Sequence, residues 1–318
     1  VSERILVTGG AGFIGSHIVD AFIAAGHDVS VVDNFNTGRR ENLNPAARFH
    51  FLDIRDVPGL EKVFASEQPT VICHQAALAD VRASLCAPTS YAAVNVIGTL
   101  NLLEAAKASG GVRRFLFAST GGAVYGDPQE LPATEACPAH PLDPYGASKL
   151  ACEYYLGTYR HNYRLDYCVL RYANVYGPRQ DPNGEAGVVA IFTGAMLAGR
   201  PVTINGDGTQ SRDFVYVGDI ARANLLALDQ GSGIFNLGSG TPTDINTVFR
   251  KLAGLTGYTL PERHGSPKPG EVYTTYLDAS RAFRELGWQP ATSLLEGLTA
   301  TVAHFRASQQ RSGSERSL

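Results

Sequence analysis

Arg4-Ile5-Leu6-Val7-Thr8-Gly9-Gly10-Ala11-Gly12-Phe13-Ile14-Gly15 is the stretch that decides how this chain is built. Its first part is a short apolar run suited to a strand buried on both faces. The glycines Gly9, Gly12 and Gly15 then form a turn, and Ile14, Ile18, Val19, Phe22 and Ile23 recur beyond it at helical spacing. A glycine-rich turn between a strand and a helix lets backbone N–H groups approach a pyrophosphate at the helix N-terminus. The spacing is one residue wider than the G-x-G-x-x-G fingerprint. The next strand, read over residues 28–33, ends on Asp33. An acid there accepts hydrogen bonds from the adenosine ribose hydroxyls and repels a 2′-phosphate, which favours NAD over NADP.

Outward from this turn the alternation of strand and helix continues. His50-Phe51-Leu52, Thr70-Val71-Ile72-Cys73-His74, Phe115-Leu116-Phe117-Ala118-Ser119 and residues 166–171 read as strands, and residues 57–66, 91–108 and 145–163 as helices. This predicts an α/β fold, a doubly wound parallel sheet covered on both faces, with ligands at the carboxyl ends of its strands. Gly9, Asp33, Asp53, Gln75, Ser119 and Arg171 all fall at or just after such ends. The second half is less regular. It opens with a loop rich in Gly, Pro and Asn over residues 176–187, then a helix over 188–198 and a strand at Val202-Thr203-Ile204. A strand follows over residues 212–217, a helix over 220–228, a strand over 234–237 that returns to the main sheet, and helices over 246–255 and 279–286. Ser293-Leu294-Leu295-Glu296 has capping-box spacing and predicts the start of the last helix. The division expected is a nucleotide domain over residues 1–172 with about 212–238, a smaller α+β lobe over 173–211 with 239–308, and a polar, frayed tail over 309–318.

Composition narrows the function. The chain has 318 residues, 44% hydrophobic and 18% charged, with a formal net charge of -3. Its basic residues never run beyond pairs such as Arg39-Arg40 and Arg113-Arg114, which argues against nucleic acid as the main partner. The apolar stretches are too short to span a bilayer, and the first residues enter a strand at once, with no secretory signal in view. The five cysteines, Cys73, Cys86, Cys137, Cys152 and Cys168, are scattered and lack C-x-x-C spacing. They predict a reduced, cytoplasmic setting and no metal site.

The chemistry is carried by Pro144-Tyr145-Gly146-Ala147-Ser148-Lys149. Tyr145 and Lys149 stand one helical turn apart, on one face of a helix. A nearby cation favours the phenolate, so a tyrosine so placed can act as a general base. Such a pair is common on exposed helices, and the glycine turn is what gives it meaning here.

Taken together, these stretches resemble the extended short-chain dehydrogenase/reductase family, and within it the enzymes that epimerise UDP-hexoses at C4. The likeness extends through Val32-Asp33-Asn34, Asp53-Ile54, His74-Gln75-Ala76-Ala77, Asn95-Val96-Ile97-Gly98-Thr99 and Ser119-Thr120-Gly121-Gly122-Ala123-Val124-Tyr125-Gly126. It continues in Leu170-Arg171-Tyr172-Ala173-Asn174-Val175-Tyr176-Gly177-Pro178 and Arg212-Asp213-Phe214-Val215. The resemblance implies interconversion of UDP-glucose and UDP-galactose through transient oxidation at C4 by a tightly held NAD that is not consumed. It makes Tyr145 the base, Lys149 its activator and a nicotinamide-ribose ligand, and Thr120 the hydroxyl partner, with Ser119 the reserve. Around the cofactor it places Gly9, Gly12, Phe13, Ile14, Gly15, Asp33, Asn34, Phe35, Asn36, Thr37, Gly38, Asp53, Ile54, Gln75, Ala76, Ala77, Asn95, Ser119 and Tyr172. Around the UDP-sugar it places Asn174, Val188, Val189, Thr203, Ile204, Asn205, Arg212, Lys268, Glu271 and Thr275.

Departures from the family pattern sharpen the reading. Related dehydratases carry Asp-Glu after the catalytic Thr, and UDP-glucuronate decarboxylases a Glu in the same segment. Here Gly121-Gly122-Ala123 follow Thr120. Strict glucose/galactose epimerases tend to have a bulky Tyr at the place of Thr275, so the small residue implies activity on UDP-GlcNAc and UDP-GalNAc as well. The competing readings are an NAD-dependent nucleotide-sugar dehydrogenase or reductase, a decarboxylase-like enzyme, and a non-catalytic NAD-binding protein. The family also implies a homodimer through a four-helix bundle, with the helices over 91–108 and 145–163 as candidates.

Overall fold

The computed structural model describes residues 2–182, 187–267 and 272–315. Its centre is a sheet of seven strands, all parallel. The order across the sheet is Gly233–Leu237, Asp166–Tyr172, Arg114–Thr120, Val71–His74, Arg4–Thr8, Asp28–Asp33 and Arg48–Phe51. The expected doubly wound sheet is thus present, and the strand over 234–237 does return to it beside Asp166–Tyr172.

Alternate residues of each strand feed opposite layers. Ile5 and Val7, Cys73, Leu116, Cys168 and Leu170 pack on one face with Ile18, Val19 and Phe22 of the helix Phe13–Ala24 and Ile220 and Ala223 of Val217–Leu226. Leu6, Ile72, Phe115, Phe117 and Val169 pack on the other with Leu102 and Leu103 of Gly98–Ser109, and Cys152 and Leu156 of Pro144–Tyr163. Both faces are covered, which is why these strands read as continuous apolar runs and not as alternating ones. Between Arg4–Thr8 and Val71–His74 the order of the strands reverses direction, and that switch point opens a crevice at their carboxyl ends.

The smaller layer is built around Ser211–Tyr216, which pairs antiparallel with Pro242–Asp244 and parallel with Asn174–Tyr176 and Thr274–Thr275. Thr203–Asn205 pairs with Arg263–Gly265 in a separate ribbon. Val189, Phe192 and Met196 of Val188–Leu197 pack here against Val248, Phe249 and Leu252 of Ile245–Thr256 and Leu298 and Val302 of the last helix. That helix starts at the predicted capping box: Glu296 Oε2 accepts the Ser293 N–H at 2.9 Å, and the Glu296 N–H donates to Ser293 Oγ at 3.3 Å. It runs as Leu294–Glu315, past the point where the sequence reading began a frayed tail.

Two segments differ from the sequence reading in ways that matter for the site. The helix read over 91–108 is three pieces: Pro88–Tyr91, a π-helical turn over Ala92–Ile97, and Gly98–Ser109. A short helix, Val81–Cys86, precedes it, capped by the Asp80 carboxylate, which accepts the N–H groups of Arg82 and Ala83. Among the described residues no helix is long and apolar enough to cross a membrane.

Candidate active site

The crevice at the switch point is a cavity of about 870 Å³. Gly9, Gly12, Phe13, Ile14 and Gly15 form one wall, and no side chain could replace the key glycines. Gly9 has φ of +71°, and a Cβ on it would lie 2.6 Å from the Ala76 nitrogen; a Cβ on Gly15 would lie 2.1 Å from the Gly9 carbonyl oxygen. The helix Phe13–Ala24 begins at Gly12 with no side-chain cap, so its first-turn N–H groups are left for a ligand. The Asp33 carboxylate stands beside them, 7% exposed, accepting the Ala11 N–H at 3.0 Å and the Phe35 N–H at 2.8 Å. Burial without a cationic partner pushes its pKa up. Asn34 donates to Asp53 at 2.9 Å, and Arg55 holds the Asp53 carboxyl well below the usual carboxylate range. A bare backbone cradle at a helix N-terminus with a carboxylate at the next strand end fits a dinucleotide.

Asn36, Thr37, Gly38, Ile54, Gln75, Ala76 and Ala77 line the same cavity, as do Ser119, Thr120, Tyr145, Lys149, Tyr172 and Asn174. The structure therefore gathers both sequence motifs around one space. Phe35 is outside the lining. It takes φ of 54° and stacks on Phe49 with ring centroids 5.0 Å apart.

Lys149 is buried, its Nζ donating to the Ala118 carbonyl at 2.8 Å and lying 4.7 Å from the centre of the Phe117 ring. Burial lowers its pKa to about 8, against the weaker opposing pull of Cys152 and Glu153. The helix that carries it and Tyr145 starts with Pro144 at its first turn and with the Asp143 carboxylate accepting the Gly146 N–H at 2.8 Å. The two adjacent hydroxyls differ in environment. Ser119 Oγ donates to Glu153 Oε1 at 2.5 Å, and Glu153 is in a buried ion pair with Arg171, whose Nη1 donates to the Tyr125 hydroxyl at 2.8 Å. Arg171, at a strand end that the sequence reading directed to ligands, is thus committed to the protein interior. Thr120 Oγ1 has no such bond to a described residue, and Thr120 lines the cavity.

A buried polar chain, which the sequence reading saw only in part, ties the two motifs together. Asn95 lies in the π-helical turn, 2% exposed. Its amide accepts the Leu78 N–H at 2.8 Å and donates to the Leu78 carbonyl and to Ser148 Oγ, each at 2.9 Å. Ser148 in turn donates to the Tyr145 carbonyl at 2.7 Å. On the other side the Thr99 hydroxyl donates to the Asn95 carbonyl, so His74 Nε2 must be the donor to Thr99 and His74 Nδ1 the acceptor of the Thr8 hydroxyl. Burial holds the His74 pKa well below its ordinary value, keeping the ring neutral. His74 was quoted within a motif but given no role; the signal was a histidine ending a strand that is otherwise apolar. Asn95 does not line the cavity; it positions the elements that do.

The substrate-side residues are more dispersed. Asn174 lines the cavity, and so does Gly187, the N-cap of the helix that Val188 and Val189 begin. Val189 is buried in the core of the smaller layer. Arg212 Nη1 donates to the carbonyls of Ser211 at 2.8 Å and Tyr273 at 3.2 Å, and Thr275 pairs in register beside it, 7% exposed. Thr203, Ile204 and Asn205 form an edge of the ribbon, where the Asn205 carbonyl accepts the Gln210 amide at 2.8 Å. Lys268 and Glu271 lie outside the described residues. Cavity residues that the sequence reading missed include Arg39, Arg55, Leu78, Arg179, Gln180 and Asp181. They sit on loops with no regular spacing to mark them.

Known proteins share this architecture. A family model described as the NAD dependent epimerase/dehydratase family matches residues 5–238. The UDP-glucose 4-epimerase of Mycolicibacterium smegmatis is 45% identical over 314 residues, covering 96% of this chain and 100% of that protein. The crystal structure of UDP-glucose 4-epimerase from Thermotoga maritima with UDP-glucose superposes with a TM-score of 0.94 at 48% identity, covering 96% of this chain and 99% of that one. The Thermus thermophilus UDP-glucose 4-epimerase in complex with NAD gives a TM-score of 0.91 at 45% identity, with the same coverage. With the glycine cradle, Asp33 and the Tyr145/Lys149 pair around one cavity, this chain belongs to the NAD-dependent epimerase/dehydratase family, among the extended short-chain dehydrogenases/reductases.

Proposed function

We propose that this chain is an isomerase that interconverts UDP-glucose and UDP-galactose at C4, with NAD held as a resident cofactor. The observation that carries this reading is the meeting of Tyr145 and buried Lys149 with the glycine cradle in one cavity, while Gly121-Gly122-Ala123 stand where elimination needs acids. When bound, NAD supplies a hydride acceptor and donor at the sugar C4. Tyr145 removes the proton of the 4-hydroxyl and returns it after the keto sugar has turned over. Lys149 favours the phenolate and holds the nicotinamide ribose. Thr120 hydrogen-bonds O4, a role supported by the commitment of Ser119 to Glu153. Asp33 takes the adenosine ribose. Asn174 and Arg212 hold the UDP diphosphate, with the amides of Val188 and Val189, while Thr203, Ile204 and Asn205 border the uracil. The small Thr275 leaves room for an N-acetyl group, so UDP-GlcNAc and UDP-GalNAc are substrates too.

The test is incubation of the purified protein with UDP-galactose and with UDP-GalNAc, without added NAD, followed by product analysis. UDP-glucose and UDP-GlcNAc are expected, with no net growth in NADH absorbance. Accumulating NADH with an oxidised sugar would replace the epimerase by a dehydrogenase.

We further propose a homodimer in which Gly98–Ser109 and Pro144–Tyr163 of each subunit form a four-helix bundle. Tyr154 and Tyr155 of the second helix are 70% and 41% exposed, and Ile97, immediately before the first, is 51% exposed, apolar surface that such a bundle would cover. Sedimentation at micromolar concentration decides it. The unpaired cysteines favour a reducing, cytoplasmic setting.

A further inference from the structure

Among the described residues, three buried side-chain atoms lack any hydrogen-bond partner: Arg179 Nη1, Gln180 Oε1 and Asn246 Oδ1. Two of them are on consecutive residues that line the cavity, and one is a donor and the other an acceptor. Buried polar atoms are nearly always paired, so two orphans on neighbouring residues at the wall of one crevice point to a missing ligand with both kinds of group. The segment that bears them is strapped across the cofactor end of the cavity by three ties. His17 Nε2 donates to the Pro178 carbonyl at 3.0 Å, Arg179 Nη2 donates to Asp20 at 2.7 Å, and Arg39 Nη2 donates to Asp181 at 2.5 Å. His17 and Asp20 belong to the helix that follows the glycine turn, and the Arg39 N–H donates to the Ala11 carbonyl of that turn at 2.9 Å. Arg179 also holds φ of 67°, a left-handed backbone that a non-glycine side chain takes under constraint.

We propose that Arg179 and Gln180 form a clasp on the dinucleotide: Arg179 Nη1 donates to its pyrophosphate and Gln180 Oε1 accepts from a hydroxyl of the same nucleotide. The proposal rests on the NAD reading above. A guanidinium presents a planar fork, and Asp20 engages Nη2 while leaving Nη1 directed elsewhere. The glycine cradle holds the pyrophosphate by backbone amides alone, and amides contribute no net charge. Arg179 supplies the cation, and the ties to His17, Asp20 and Arg39 keep it in place across turnover. The clasp joins a loop of the substrate side to the first helix of the nucleotide side, so cofactor release requires these ties to part. The UDP diphosphate offers similar chemistry, so the assay separates the two anions.

The test compares the parent with Arg179→Met and Arg179→Lys. NAD content is measured in the purified holoenzyme, the rate of NAD release after dilution is followed, and UDP affinity is measured by calorimetry. Loss of a charge-assisted hydrogen bond predicts at least about tenfold faster NAD release for Arg179→Met, with UDP affinity unchanged. Arg179→Lys keeps the charge without the fork and falls between the two. Asp20→Ala removes the tie that aims the guanidinium; it too speeds release, and it serves if Arg179→Met does not fold. Unchanged NAD content and release in Arg179→Met overturn the clasp. Weakened UDP binding with NAD retained overturns it as well, moving Arg179 to the substrate diphosphate. A parent protein that binds no NAD overturns the cofactor reading itself, a result distinct from either.

Discussion

Replacing Lys149 by methionine should abolish turnover and yet stabilise the chain at neutral pH. Lys149 is 3% exposed, and burial brings its pKa from 10.5 to about 8. The folded state therefore disfavours the ammonium relative to the unfolded chain. A depression of this size corresponds to about 3 kcal/mol, at roughly 1.4 kcal/mol per pH unit. The penalty is present in full below pH 8, where both states hold the proton. Between about pH 8 and 10.5 the unfolded chain still binds a proton that the folded chain has released, so the parent's stability rises with pH there. Methionine fills similar space without a charge but leaves the Ala118 carbonyl without its Nζ donor, an offset of about 1 kcal/mol. The net expectation for Lys149→Met is a gain of about 2 kcal/mol at pH 7 that shrinks steadily above pH 8. Urea unfolding of nucleotide-free parent and variant from pH 6.5 to 9.5 measures it. A variant less stable at pH 7, or a difference flat across that range, would show that Lys149 is not held in the folded state against its own charge.

Four further outcomes follow from the site. Tyr145→Phe should lose turnover by at least about 10³-fold while retaining NAD and fold; ordinary rates would remove Tyr145 as the base. Asn95→Ala leaves the Leu78 N–H, the Leu78 carbonyl and Ser148 Oγ without their shared partner, and should lower stability by about 3 kcal/mol with a fall in kcat, read by urea unfolding and steady-state rates. Thr120→Ala should cut kcat with little change in stability, whereas Ser119→Ala, which strips a donor from the buried Glu153, should destabilise by about 2 kcal/mol; the reverse pattern would exchange their roles. Thr275→Tyr should depress the rate on UDP-GalNAc far more than on UDP-galactose, and equal effects on both sugars would detach Thr275 from substrate width.

What could be read from the sequence follows from how local each signal is. The strand-turn-helix around Gly9, Gly12 and Gly15 is set by contiguous residues, and its requirement for glycine comes from backbone clashes that any side chain would cause. The buried strands announce themselves because both faces are covered. The smaller layer was harder: Asn174–Tyr176, Pro242–Asp244 and Thr274–Thr275 are two or three residues long and exist through pairing with Ser211–Tyr216, a partner distant in sequence. Arg171 shows the opposite failure. Its strand-end position directed it to ligands, but Glu153, on the preceding helix Pro144–Tyr163, claims it through a contact that the sequence pattern does not show. The π-helical turn over Ala92–Ile97 leaves no mark that a helical period can reveal, since its extra residue per turn serves one side chain, Asn95.

That turn also explains how two motifs so far apart in sequence act as one site. The glycine turn and the Tyr145 helix do not touch through apolar packing alone; they are joined by hydrogen bonds from Thr8 through His74, Thr99 and Asn95 to Ser148 and the Tyr145 carbonyl. Each member of the chain has one geometry that satisfies both neighbours, and the neutral His74 fixes the direction of the donors. Buried polar groups often stabilise no more than apolar packing of the same volume, and a role in fixing register accounts for this chain of hydrogen bonds. On the proposed function the register is that between the cofactor cradle and Tyr145, and an error in it would separate the hydride path from the proton path at one carbon atom. The same logic covers Lys149: a cation held out of water beside Ala118 lowers stability, a cost that the proposed function assigns to its place in the cavity that Tyr145 also lines.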